Sequence, residues 1–292
     1  MTIASGQNSH AEGLETKASG TWCPHAEGWK TEATGSYTHV EGHSTTASGD
    51  TAHAEGFHSK ATKNSAHAEG NSTTASGDSA HAEGTSTKAQ GSASHAEGGS
   101  TTVSGDVSHA EGSNTSAEGD YSHSEGNSTT SAGESSHAEG SSTSAFNKGD
   151  HAEGINSIAG VGDGTTHTSA CHAEGCGTKA TGDNGSHAEG ERTTASALSA
   201  HAEGWLSEAS GAHAHAEGSH TAASGDNSHA EGSSTAAKGV ASHAGGVNTI
   251  ANDYQTVVGT YNVEKAGGVD NDRFIVGGGW GTPPPAVVFS CA

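Results

Sequence analysis

The chain has 292 residues, of which 29% are hydrophobic and 4% aromatic, and its formal net charge at pH 7 is -23. So few apolar residues exclude a conventional globular core, and only 11 Lys and Arg argue against binding to nucleic acid through its phosphates or to an anionic membrane surface. Such a composition is typical of a disordered chain unless a repeat orders it.

The N-terminal stretch "MTIASGQNSH" has no basic segment followed by an apolar one. No window approaches the ~18 apolar residues of a membrane helix. The sequence therefore predicts neither a classical export signal nor membrane insertion. Cys23, Cys171, Cys176 and Cys291 have neither the number nor the spacing of a disulfide framework or zinc site, and we interpret them as free or buried thiols.

A repeat runs through most of the chain. Its histidines, from His10 to His243, are spaced by 14 residues with three longer intervals, of 15, 21 and 15 residues. Numbered from the histidine, the consensus is H-A-E-G-x-S-T-x-A-S-G-D-x-S. Position four is always Gly, and position seven is always Thr or Ser.

The period predicts short strands joined by tight turns. Fourteen residues are too few for a two-helix repeat, and two glycine-centred breaks per period argue against a coiled coil. The segments "SHAEG" and "STxAS" suit two strands, which would pair in parallel with those of the next copy. We therefore expect an all-β, parallel β-roll or solenoid of 14-residue coils.

Side chains alternate across a strand, so Ala at position two faces away from His and Glu at positions one and three. The small residues at positions two, seven and nine predict a thin interior. The His and Glu then form a column on the opposite face, which we call the His–Glu ladder.

The constant identity of the ladder indicates that it faces a partner, because solvent-facing positions six and eight vary freely. A second copy of the same chain is the simplest partner, and a trimer would bring three ladders together. The residues predicted to make these interchain contacts include His67, Glu69, His81, Glu83, His95, Glu97, His109, Glu111, His137, Glu139, His201, Glu203, His229 and Glu231.

The pattern "SHAEGxxTxASGxxSHAEG" resembles the YadA-like head repeats of trimeric autotransporter adhesins and, more closely, the "SHAEG" arrays of bacteriophage tail fibres and tail spikes. The resemblance covers about residues 1–246. It implies a left-handed parallel β-roll assembled as a homotrimer. This chain has His and Glu where the adhesin heads have the Val and Ile of "SVAIG".

Two domains are predicted: the repeat solenoid at 1–246, and a β-rich segment at 247–292 that caps the last coil and registers the three chains. The latter holds 12 of the 25 Leu, Ile, Val and Phe residues, so a denser core is expected there. The insertion between His151 and His172 is expected to form a surface loop, because long insertions at turns cost little.

The resemblance implies a structural, non-enzymatic segment of a phage or prophage tail, located in the virion tail after assembly in the host cytoplasm. Its expected partners are itself, other tail proteins and a host-surface glycan or protein. The main alternative is the head of a bacterial trimeric adhesin at the cell surface. A monomeric ligand-binding or ice-binding solenoid is a third interpretation.

No cofactor is predicted, although three histidines per layer could hold a metal ion on a trimer axis. His213 and His215 form an H-x-H motif that resembles the iron stations of some phage long tail fibres, and they are the candidate metal ligands. Asp at position twelve follows Gly and is interpreted as a turn residue rather than a calcium ligand.

Overall fold

The computed structural model describes residues 1–162, 170–262, 274–278 and 287–289. The chain divides into two compact units, Met1–Ser142 (unit 1) and Thr143–Ala292 (unit 2). Each unit is a parallel β-solenoid with coils of about 14 residues, and the described residues contain no helix. They accordingly include no helical segment able to cross a membrane.

Each regular coil contributes one long and one short strand. The strands of unit 1 are β1 Ile3–Ala4, β2 His10–Leu14, β3 Lys17–Ala18, β4 His25–Trp29, β5 Glu32–Ala33, β6 His39–Val40, β7 Thr46–Ala47, β8 His53–Phe57, β9 Lys60–Ala61, β10 His67–Asn71, β11 Thr74–Ala75, β12 His81–Thr85, β13 Lys88–Ala89, β14 His95–Gly99, β15 Thr102–Val103, β16 His109–Ser113, β17 Ser116–Ala117, β18 His123–Asn127, β19 Thr130–Ser131 and β20 His137–Ser141.

Unit 2 repeats this alternation and then changes near its end. Its strands are β21 Ser144–Ala145, β22 His151–Ile155, β23 Ile158–Ala159, β24 His172–Cys176, β25 Lys179–Ala180, β26 His187–Glu191, β27 Thr194–Ala195, β28 His201–Trp205, β29 Glu208–Ala209, β30 His215–Ser219, β31 Ala222–Ala223, β32 His229–Ser233, β33 Ala236–Ala237, β34 His243–Val247, β35 Ile250–Ala251, β36 Thr256–Thr260, β37 Phe274–Gly277 and β38 Val287–Phe289.

Successive coils pair in register, residue on equivalent residue. In unit 1, β10 pairs in parallel with β12, so that His67 lies opposite His81 and Ala68 opposite Ala82. The short strands form a second parallel sheet in the same way, with β11 pairing with β13. The predicted parallel solenoid, with two strands per copy, is confirmed.

The interior is as thin as the repeat predicts. Ala68 and Ala75, at positions two and nine, are fully buried, as is Thr73 at position seven. Among the described residues, the largest fully buried side chains of unit 1 are Val40, Val103 and threonines. Each coil therefore buries little apolar surface and gains little from dispersion, so backbone hydrogen bonds between parallel strands hold successive coils in order.

Glycine is required where neighbouring coils approach most closely. Gly70, at position four, has a φ of +112°, and a Cβ there would lie 2.2 Å from the carbonyl oxygen of Gly84. Gly77, at position eleven, would place a Cβ 1.9 Å from the oxygen of Gly91. A side chain at Gly70 would clash with the next coil, which explains the invariant glycine of position four. Position eleven is more permissive, since Lys63 and Ala197 occupy it in other coils.

Two further residues of most coils occupy the left-handed backbone region without being glycine. They stand at positions six and thirteen, as Ser72 (φ 59°) and Ser79 (φ 55°) illustrate. The same conformation recurs at Tyr121 and Val107. Coil closure thus imposes this geometry on whatever residue is present.

The solenoid pairing continues beyond residue 246. In unit 2, β36 pairs in parallel with β34, β37 pairs in parallel with β36, and β38 is antiparallel to β37. The domain boundary at 246/247 and the capping role of 247–292 stay predictions, and much of that segment, with Cys291 and the "GTPPPA" run, lies outside the described residues. The same holds for residues 163–169 of the predicted surface loop.

Buried polar contacts anchor the described ends of this insertion. The Asp150 carboxylate is buried and accepts backbone N–H bonds from Asn147 (2.7 Å) and Cys171 (2.8 Å). The Cys171 thiol is buried and free, while Cys23 and Cys176 are exposed free thiols.

Candidate functional site

The long strands position the His–Glu ladder. Histidine begins each full five-residue repeat strand, and alternation turns it and the residue two positions later away from the buried alanine. In-register pairing then places His81 over His67 and Glu83 over Glu69. Within each unit, the predicted ladder residues therefore form columns on one face of the long-strand sheet.

The imidazole rings of the ladder stack on one another. The ring centroids of His67 and His81 are 4.6 Å apart with planes inclined by 5°, and those of His109 and His123 are 5.1 Å apart at 5°. In unit 2, His172 and His187 stack at 4.8 Å and 2°. The strand spacing of about 4.8 Å sets this distance, because each coil advances by one strand.

Histidine and glutamate of the same strand lie close but are mostly not hydrogen-bonded. Where Nε2 and a carboxylate oxygen of the same strand lie within 4.0 Å, their distance ranges from 3.2 Å at His53–Glu55 to 4.0 Å at His187–Glu189. Only the first falls within hydrogen-bond reach. Towards the end of unit 2 the pairing changes, and His229 lies 3.6 Å from Glu217 of the preceding coil.

The ladder is half-exposed, yet its Nε2 atoms are covered. The side chain of His67 is 36% exposed and that of Glu69 49%. Nevertheless, Nε2 is buried and has no hydrogen-bond partner among the described residues at several ladder positions, namely His67, His81, His95, His109, His201, His215 and His229. A polar atom in this situation costs free energy unless a further group satisfies it.

Burial lowers the pKa of seven ladder histidines below the ordinary value. Repulsion from neighbouring imidazolium groups lowers the pKa further, and the carboxylates nearby raise it by less. These residues are His39, His67, His81, His109, His187, His201 and His229. Their imidazoles are consequently neutral at neutral pH, so each ring has one N–H donor and one free lone pair.

Groups of ladder side chains are arranged as metal ligands. In each of five groups of three residues, the candidate ligand atoms all lie within 4.8 Å of one another. The groups are His67, Glu69 and His81; His81, Glu83 and His95; Glu97, His109 and Glu111; His201, Glu203 and His215; and His215, Glu217 and His229. Imidazole with carboxylate is a ligand set for Zn²⁺ and related cations.

The structure separates the two histidines of the H-x-H motif. His213 is an exposed residue in the turn before β30, with a φ of 56°, whereas His215 begins the strand. The side chains grouped with His215 are those of the ladder rather than His213. Metal binding by the pair His213 and His215 stays a prediction.

Several aspartates of position twelve accept hydrogen bonds from backbone amides. Asp50 Oδ1 accepts the amide of Ser36 at 2.8 Å, and Asp106 Oδ1 accepts that of Ser92 at 2.7 Å, in each case from the preceding coil. Asp226 does the same to Ala212 in unit 2, at 3.0 Å. These contacts agree with the interpretation of the aspartates as turn residues.

A second side-chain column, at position five of unit 1, was missed by the sequence analysis. The ring of Trp29 lies 4.3 Å from that of His43, which lies 4.8 Å from Phe57. Trp29 and Phe57 remain 45% and 42% exposed. Position five varies along the chain, so the only sequence signal was the 14-residue spacing of three rings.

An open depression of about 400 Å³ accompanies the ladder in unit 2. It is lined by three ladder glutamates and three glycines of position four, namely Glu203, Glu217, Glu231, Gly218, Gly232 and Gly246. Because glycine has no side chain, the carboxylates of this stretch are accessible from solvent.

Comparison with models of known protein families and with curated proteins found no match for this chain.

Proposed function

We propose that this protein is a structural, non-enzymatic segment of a homotrimeric fibre in a phage or prophage tail. In this proposal each chain is a left-handed β-roll, three chains associate through their His–Glu ladders, and the fibre presents or mediates attachment to a host cell. Its partners are two further copies of itself, other tail proteins and a host-surface glycan or protein.

One observation supports the trimer. A single face of each unit presents regular columns of half-exposed His and Glu side chains, and at most positions the histidine Nε2 has no hydrogen-bond partner among the described residues. Within a strand the carboxylate is mostly too far for a hydrogen bond. If the half-exposed imidazoles rotate so that Nε2 is uncovered, a glutamate from a neighbouring chain can accept a hydrogen bond from it.

The uniformity of the ladder supports a structural role rather than catalysis. An enzyme needs one site with groups in distinct roles, whereas the same pair recurs in coil after coil here. A repeated weak contact is suited to aligning chains, because many such contacts add up along an assembly of fixed register.

The fold disfavours the ice-binding alternative. Ice binding would require a flat, regular, outward-facing threonine array. The regular threonine column is at position seven, and Thr31, Thr73 and Thr101 are fully buried. Position eight faces outward but alternates between residues such as Thr74 and Lys88.

The head of a bacterial trimeric adhesin is the second candidate, favoured by the likeness of the repeat to such heads. It requires the same homotrimer, located at the cell surface. The parent gene separates the two: a membrane-anchoring barrel encoded downstream indicates an adhesin, and a chaperone-like domain indicates a phage fibre.

The assembly is tested by the native mass of the full chain from light scattering at neutral pH, with and without a chelator. Three chains of 28.6 kDa, or about 86 kDa, are expected in both conditions. A mass of 28.6 kDa in both would contradict the proposal. A trimer that dissociates with chelator would mean that metal ions, rather than His–Glu hydrogen bonds, hold the chains together.

A further inference from the structure

His215 is the centre of a cluster of five ladder side chains in unit 2. Its ring stacks between those of His201, at 4.6 Å, and His229, at 4.9 Å. The carboxylates of Glu203 and Glu217 lie on the same face, since β28, β30 and β32 pair in register.

His215 differs from both neighbours in having no counter-charge close to its Nε2. His201 Nε2 lies 3.6 Å from Glu203, and His229 Nε2 lies 3.6 Å from Glu217. The Nε2 of His215 is buried and has neither a hydrogen bond nor an ion pair with any residue that the structure describes. It is therefore a ligand atom still available for a bond.

The distances bring a divalent cation within reach. A ring nitrogen of His201, a Glu203 oxygen and a ring nitrogen of His215 lie within 4.8 Å of one another, as do a ring nitrogen of His215, a Glu217 oxygen and a ring nitrogen of His229. Ligands of Zn²⁺ stand ~2.0 to 2.2 Å from the ion, so they are roughly 3 to 3.5 Å apart. Because the lone pair of a ring nitrogen lies in the ring plane, the stacked rings would have to tilt towards each other to bind one ion.

The charge of the glutamates and their exposure to solvent also favour a divalent cation. Each group includes a glutamate, whose carboxylate supplies negative charge to a divalent cation. Glu203 and Glu217 line the open depression, through which an ion can enter. Imidazole ligands select Zn²⁺ and similar transition metals over Ca²⁺ and Mg²⁺.

We propose that His215 is the shared ligand of a Zn²⁺-type cation site, completed by His201 and Glu203 on one side or by Glu217 and His229 on the other. One imidazole nitrogen has one lone pair, so the cluster holds one ion at a time. All five residues belong to one chain, so the protein ligands of the ion come from a single protomer, on the face that the proposed trimer covers.

Zinc binding to the full-length protein, purified without a histidine tag, tests this site. After treatment with EDTA and dialysis, the wild type, His215→Ala and His123→Ala are equilibrated with Zn²⁺ at pH 7.5, and bound metal is counted by elemental analysis after gel filtration. His123 stacks in the ladder of unit 1 but belongs to none of the ligand groups in the described structure, so it is the matched control.

We expect His215→Ala to bind one Zn²⁺ fewer per chain than the wild type, and His123→Ala to bind as many as the wild type. The difference is the readout, because the groups that share His81 in unit 1 have the same composition and contribute ions of their own. Equal zinc content in His215→Ala and wild type would overturn the proposal.

A second variant keeps the imidazole stack and decides the matter if His215→Ala fails to fold. The double change Glu203→Gln and Glu217→Gln should weaken the binding of one ion at least tenfold in calorimetric titration. Undiminished affinity would contradict carboxylate ligation. Equal displacement of zinc by Ca²⁺ would contradict imidazole ligation.

Discussion

At the scale of single residues, the coil imposes left-handed backbone on side chains that disfavour it. Val107 is the sharpest case, since it is β-branched, has a φ of 54° and is 56% exposed. Asn227 occupies the equivalent position of a coil in unit 2, also with positive φ. Asparagine tolerates this region far better than valine.

Val107→Asn should therefore raise the free energy of unfolding by about 1 kcal/mol, because it relieves backbone strain without removing a buried contact. Ser104→Asn is the control at an exposed position of the same coil with ordinary backbone, and it should change stability by less than about 0.5 kcal/mol. Chemical denaturation monitored by circular dichroism measures both. A loss of stability in Val107→Asn would contradict the strain argument.

Gly70→Ala should abolish folding or cost more than ~3 kcal/mol, since the new Cβ would collide with the backbone of the next coil. Gly99 provides a matched control, because a Cβ there meets no atom within 4 Å and its φ is not positive. Gly99→Ala should leave the thermal midpoint unchanged or slightly higher. Similar midpoints for the two variants would contradict the described coil spacing.

At the scale of the elements, the coil interior has little spare volume. Ala82 is fully buried in β12, as are its equivalents in the neighbouring coils. Val40 occupies the same repeat position in β6, so a valine fits where the coil can adjust.

Ala82→Leu should lower stability by roughly 1 to 3 kcal/mol through overpacking, and Ala82→Val should cost less. Denaturant midpoints of the two variants, compared with the wild type, test this ordering. Leucine tolerated as well as valine would mean that the interior is looser than the structure indicates.

The ladder links stability to pH. Groups facing His67 include His53 and the carboxylates of Glu55, Glu69 and Glu83, and burial is the largest influence, so its pKa is lowered. With a lowered pKa in the folded state, the unfolded chain binds more protons, and stability rises with pH. This contribution is full above the unfolded pKa of about 6.5 and is lost as pH falls below it.

The thermal midpoint should therefore be lower at pH 5 than at pH 8. The effect should shrink in a variant with His67→Gln, His81→Gln and His109→Gln, whose side chains do not titrate. A midpoint that rises on acidification would show that carboxylates, including those of another chain, raise the pKa of the ladder more than burial lowers it.

The sequence predicted the strands, the buried positions and the ladder, because invariant small residues and two-residue alternation directly report which side faces inward. It did not decide the direction of the histidine pKa shift, which depends on burial and on distances such as the 3.9 Å between His67 and Glu69. Nor did it predict that Glu217 approaches His229 of the next coil, since that is a matter of rotamers. Val107 has a left-handed backbone conformation, but a valine in the sequence does not indicate one as a glycine or asparagine would.

At the scale of the whole molecule, the two sheets of each unit have opposite roles in the proposed trimer. The long strands present the His–Glu ladder, which we propose faces other chains. The short strands of each unit present a mixed column at position eight, which includes the exposed Glu32 in unit 1 and the exposed Glu208 in unit 2 and is free to face solvent. A charge reversal on the long-strand sheet should therefore disrupt the trimer, whereas one on the short-strand sheet should not.

Glu69→Lys with Glu83→Lys places two cations among ladder histidines and removes their acceptors, whereas Glu32→Lys with Glu208→Lys makes the same change of charge on the other sheet. We expect the first variant to dissociate while retaining its β-sheet circular dichroism. The second should assemble as the wild type does.

The native mass of these two variants and of the wild type, measured by light scattering at neutral pH, tests whether the ladder joins the chains. A trimer joined by its ladders should give about 86 kDa, three chains of 28.6 kDa, for the wild type and the Glu32→Lys/Glu208→Lys variant, and 28.6 kDa for the ladder variant. A wild-type mass of 28.6 kDa, or a ladder variant that remains trimeric, would contradict the claim that the His–Glu ladder joins the chains.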